Sequence, residues 1–208
     1  MNPGNDFGSL LACRLRHGLA TCPAALRRLW QERHAIAATE FAMILPFMII
    51  LLIGMAEITG AMNHDRKISR ISNSIADLVA QAQTVTTGEL DGVFNLGEKI
   101  LVPYPADELV ILIASVTFDN NEDATVDWSY DSTGNAPWTE GAAPPITLPD
   151  TIAAPNTSIV VSVATLDYEP PFAGIFTSYF DRDALIELSD SYYLRPRLTN
   201  TVQCSNCP

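Results

Sequence analysis

Residues 35–62 read AIAATEFAMILPFMIILLIGMAEITGAM. Its centre, Phe41–Ala56, is 16 residues with no charge and no strongly polar side chain. At about 1.5 Å per residue a helix of that length covers about 24 Å, and the small, apolar flanks bring it to the ~30 Å of a hydrocarbon core. Apolar residues on every face over four turns suit lipid better than the interior of a soluble protein, where one face stays polar. The other alternative is a cleavable secretory signal, with Thr59-Gly60-Ala61 as a small-residue cut site, although about 40 residues precede the apolar run. Two carboxylates mark the edges. Glu40 and Glu57 lie about 25 Å apart along a helix, so each falls near a boundary rather than at the costly centre. The plain reading is that both face headgroups and water. The functional reading is that Glu40 neutralises a partner's cation during helix–helix assembly. Pro46 removes the backbone bond to Ala42 and is expected to bend the helix.

Charge divides the chain. Residues 1–39 carry Arg14, Arg16, Arg27, Arg28 and Arg33 against Asp6 and Glu32, a net +3, whereas residues 71–208 carry four basic and 19 acidic side chains, a net −15. So acidic a domain repels phosphate, which argues against nucleic acid as a partner. The positive-inside comparison is a tie close to the span, three basic residues on each side, and Arg14 and Arg16 tip it toward a cytoplasmic N-terminus. The expected organisation is a cytoplasmic Arg-rich tail (1–34), a transmembrane helix with an amphipathic extension (35–83), and an α+β domain outside the membrane (84–208).

After the span, Ile68, Ile71, Ile75, Leu78 and Ala82 follow 3-4-3-4 spacing, so the helix is expected to continue and lay this seam on its own domain. A break at 84–88 precedes a short helix over Glu89–Leu101, ended by Pro103 and Pro105. The period then changes. Leu109–Phe118, Thr125–Tyr130, Ser158–Tyr168 and Ser191–Arg197 read as strands, with a turn at Asp119–Asp123 and a proline-rich loop over 132–156. A long helix followed by a small antiparallel sheet gives an α+β fold.

Chemistry is scarce. His17, His34 and His64 all precede residue 71, so the outer domain holds no histidine for a nucleophile system or a metal site. Asp119, Asn121 and Asp123 alternate like a calcium loop, but Ala124 and Tyr130 stand where its glycine and terminal glutamate belong. No catalytic group, metal site, cofactor or small-molecule substrate is assigned. Cys204 and Cys207 form a C-x-x-C in a terminal tail, read as a structural disulfide or as free thiols; Cys13 and Cys22 would stay reduced in a cytoplasmic tail.

Residues 35–62 resemble the N-terminal segment of TadE/TadG-like proteins of the bacterial tight-adherence (Flp) pilus system. The likeness lies in the small residues before Glu40-Phe41-Ala42, in Leu45-Pro46, and in Glu57 after the apolar run. IADLVAQ (75–81), VVSVATLDYEPPF (160–172), YYLRPR (192–197) and the terminal cysteines extend it over most of residues 35–208. The resemblance implies a pilus-assembly or minor-pseudopilin role in the inner membrane, with a periplasmic domain and other pilus-assembly helices as partners beside the lipid bilayer. Glu40, Phe41, Pro46 and Glu57 are then the helix-assembly candidates. A pilin-type cut between Ala35 and Ile36 would make Glu40 the fifth residue. Ala35 replaces the family's glycine there, and retention of the Arg-rich tail is expected.

Overall fold

A computed structural model describes residues 35–172 and 185–208. The expected features of the Arg-rich tail, including Cys13 and Cys22, lie outside the described residues. The chain divides into two compact units, Met1–Met55 and Ala56–Pro208. Helix α1 (Ala35–Ala80) belongs to both and runs on through Pro46.

Within the first unit every described side chain from Ala37 to Leu52 is exposed. Met43, Phe47 and Leu51 are 75, 70 and 66% exposed although large and apolar. The most apolar 18-residue window of α1 is 0% buried, and the helix is long and apolar enough to cross a membrane. A core helix of a soluble protein would bury that window.

The second unit is an α+β domain. Strand β1 (Thr84–Val85) and helix α2 (Thr87–Leu101) lead into β2 (Leu109–Phe118), β3 (Ala124–Asp131), β4 (Ser158–Tyr168), β5 (Ile186–Leu194) and β6 (Gln203–Cys204). Four strands form an antiparallel sheet in the order β3-β2-β4-β5, while β1 and β6 pair in parallel. Asp127 is an extra residue in β3, between the pairs Ser115↔Trp128 and Val116↔Val126. This bulge switches the face on which later β3 side chains point. Its carboxylate accepts hydrogen bonds from Ser115 Oγ (2.8 Å) and Thr117 Oγ1 (2.7 Å).

Each face of the sheet has its own core. On one, Ile111 and Ile113 of β2 and Val160 and Ala164 of β4 meet Ile68, Ile71, Ile75 and Val79 of α1 and Leu90 and Phe94 of α2. On the other, Val116, Phe118, Val126 and Val161 are covered by Trp138 and by Ile146, Leu148 and Ile152 from the proline-rich stretch. That stretch has no helix or strand, yet it is packed.

The strands over 109–118 and 158–168 stand where the sequence places them. Three details differ. Leu78 is 41% exposed and Val79 takes its place in the seam. At about 100° per residue Val79 falls about 20° from Ile68 around the helix and Leu78 about 80° away. The last sheet strand is Ile186–Leu194 rather than Ser191–Arg197. It is a half-exposed edge strand, so its polar residues hide the pattern, and Pro196 follows its end. The break at 84–88 contains β1, whose partner is 119 residues away in sequence.

Candidate functional site

The sequence singles out α1, and the structure divides its candidates. Ala35 and Ile36 are its first two residues. Glu40 is exposed on the helix, and Phe41 beside it is 59% exposed. Glu57 has a different position. Its Oε1 accepts the backbone N–H of Phe172 at 3.0 Å, so it ties the helix to the segment after β4. Cys204 and Cys207 are joined in a disulfide with a Cα–Cα distance of 5.6 Å.

One turn beyond Glu57 is a cluster that sequence reasoning did not assemble. Gly60 faces Tyr168: a Cβ at Gly60 would lie 2.7 Å from the phenol oxygen. His64, only 8% exposed, lies between Tyr104 and Tyr168, with ring centroids 3.8 and 4.4 Å away and ring planes tilted by 39° and 41°. With Nδ1 protonated it donates to the Gly60 carbonyl at 2.9 Å. Burial, then the Glu57 carboxylate, then Tyr104 raise the pKa of Tyr168 above its ordinary 10.0. Each of these disfavours the phenolate.

Lys67, one turn further, points inward. Its Nζ donates to the carbonyls of Ile100 (3.2 Å) and Leu101 (3.1 Å) and also to that of Val102, and lies 5.0 Å from the Tyr104 ring centroid. These are the last carbonyls of α2, which have no partner within the helix and carry its negative dipole end. The other end of α2 is closed by a capping box: Thr86 Oγ1 accepts from Glu89 N–H, and the Glu89 carboxylate accepts from Thr86 N–H at 2.9 Å.

A cleft of about 600 Å³ opens beside this cluster, lined by His64, Tyr104 and Tyr168 with Asp107, Glu108 and Asp167. His64 is held by a carbonyl and two rings, and among the described residues no hydroxyl or thiol is paired with it as a nucleophile. Among the described residues no three His, Cys, Asp or Glu side chains are placed to hold a metal ion. The turn at Asp119 is closed by its own carboxylate, whose Oδ1 accepts the N–H groups of Asn121 and Asp123.

The C-terminal tail closes the far end of the domain. Arg197 N–H donates to the Ala80 carbonyl at 2.9 Å, and its guanidinium pairs with Asp77. Trp128 Nε1 donates to the Val202 carbonyl at 2.8 Å. Within the disulfide ring, Ser205 N–H bonds the Val85 carbonyl, and Asn206 Oδ1 accepts the N–H of Thr87, the first residue of α2. The cysteines thus hold an asparagine against a helix N-terminus.

The weak sequence signals for these features are Gly60 near the end of the apolar run and Lys67 beside the first isoleucine of the seam. Their partners are 33 or more residues away, so neither signal named them. No known protein family, curated protein or solved structure matches the chain.

Proposed function

We propose that this chain is a single-pass protein of the inner membrane, a non-enzymatic structural component of a Flp/Tad-type pilus or secretion assembly that engages other membrane helices through residues 36–62. The observation that carries the reading is the contrast along α1. One end exposes large apolar side chains on every face, while the other end of the same helix is core to a folded domain. Such a helix can remain unburied only where the solvent is apolar. The Cys204–Cys207 disulfide supports a periplasmic domain and a cytoplasmic N-terminus. The resemblance of residues 35–62 to TadE/TadG-like proteins supports the assembly role.

Glu40 is the assembly residue in this proposal. Glu57 already has a partner within its own domain, whereas Glu40 is exposed near the edge of the span. A carboxylate at that depth gains from a cation or donor on a neighbouring helix. Glu40→Gln should reduce co-purification with partner membrane proteins and leave the domain folded. Unchanged assembly would remove Glu40 from this role. The acidic, aromatic-walled cleft beside His64 favours a second reading, a membrane-tethered binding module. Replacing residues 37–56 with an unrelated apolar helix separates the two: a tether keeps its activity, an assembly helix loses it.

A further inference from the structure

We propose that the β4–β5 end of the folded unit is a second membrane contact, seated on the lipid surface where α1 leaves the bilayer. The proposal rests on the reading of α1 as a span and adds to it. A ~30 Å hydrocarbon core takes about 20 helical residues, so a span that begins after Glu40 closes at about Gly60. The domain meets α1 at that same level. Phe172 N–H is bonded to Glu57, and the Tyr168 hydroxyl lies against Gly60. Tyr168 pairs across the sheet with Ile186, which brings β5 to the same depth. No spacer separates the edge of the span from this part of the fold.

The residues presented there suit an interface. Phe172, Leu185 and Ile186 are 40, 58 and 44% exposed. Aromatic and aliphatic side chains at headgroup depth are stabilised by the boundary between headgroups and acyl chains. Among the described residues at this end, Asp167, Glu169 and Glu187 are exposed and none forms a basic patch, so the attraction these residues offer is apolar. Lipid is the occupant because continuity with the span delivers this end to the bilayer in every copy, with or without a protein partner.

The test uses the full chain with Cys13→Ser and Cys22→Ser, reconstituted in phosphatidylcholine vesicles. Single cysteines at Phe172→Cys or Ile186→Cys carry an environment-sensitive fluorophore, with Ile50→Cys and Leu198→Cys as references. Leu198, beside the residue bonded to Ala80, marks a level about 30 Å further along α1. Labels at 172 and 186 should lose emission to nitroxide-bearing lipid, as Ile50→Cys does, and resist aqueous iodide; Leu198→Cys should do the reverse. If 172 and 186 respond only to iodide while Ile50→Cys responds to lipid, the second contact is wrong and the span stands. If Ile50→Cys also ignores the lipid quencher, the span fails and this inference with it.

Discussion

Two glycines of α2 show how position sets the sign of one substitution. A Cβ at Gly97 would sit 2.6 Å from Ile111 Cδ1, 3.0 Å from Ile75 Cδ1 and 3.2 Å from Ile71 Cγ2, whereas nothing lies within 4 Å of one at Gly92. Gly→Ala in a helix is worth about 1 kcal/mol in propensity. Overpacking a filled core costs about 1–3 kcal/mol. Gly92→Ala should therefore raise the urea midpoint of the domain and Gly97→Ala lower it. Equal effects of one sign would contradict the packing of α1, α2 and β2 around Gly97. Lys67→Met tests the cap on α2. It keeps the stem and removes the ammonium donor from the Ile100, Leu101 and Val102 carbonyls, of which Leu101 retains the Tyr104 N–H at 3.1 Å, an expected loss of about 1–3 kcal/mol in the same measurement. Tyrosine sets a pH limit. Burial first, then the hydrogen bond to Asp91, then the charges of Asp91 and Asp131, raise the pKa of Tyr130 above 10.0; Tyr168 is raised as well. The phenols stay protonated longer in the folded state than in the unfolded one. Their contribution is complete below about pH 10 and falls as pH rises through the raised values. Urea midpoints between pH 8 and 11 should drop more steeply for the native chain than for Tyr130→Phe with Tyr168→Phe.

At the scale of elements, legibility followed locality. Strands β2 and β4 are short apolar runs buried on both faces, and their limits are readable because polar or proline residues bound them. The continuation of α1 past the span is readable from Ile68, Ile71 and Ile75. The pairing of β1 with β6 is not, because two-residue strands have no periodicity and their contact spans most of the domain. The same holds for the site. Glu40 and Glu57 stand out as charges at the ends of an apolar run, but their different surroundings appear only once Phe172 is placed beside Glu57. The tail's role is likewise tertiary. Cys204→Ser with Cys207→Ser opens a four-residue ring and should cost about 2 kcal/mol or less by chain entropy, plus the register of Asn206 on Thr87. The expected signature is faster amide exchange at the start of α2 and in β1, with the four-stranded sheet unaffected. Exchange that rises evenly through the domain would show that the tail supports the whole core.

At the scale of the whole molecule, one helix has a half that is core to a folded domain and a half that is long and apolar enough to cross a membrane. Its second half is held by isoleucines against a sheet, and its first half leaves some 20 residues of apolar surface uncovered. Hydrophobic burial at about 25 cal/mol per Å2 makes that surface costly in water, and association with lipid removes the cost without a protein partner. The proposed assembly through Glu40 and the proposed contact through Phe172 and Ile186 both rest on that placement. Alkaline carbonate extraction of membranes from cells expressing the full chain, tagged at both ends, is the most direct measurement. One species carrying both tags should remain in the membrane pellet. Recovery of the chain in the supernatant, intact or trimmed after the apolar run, would contradict the account.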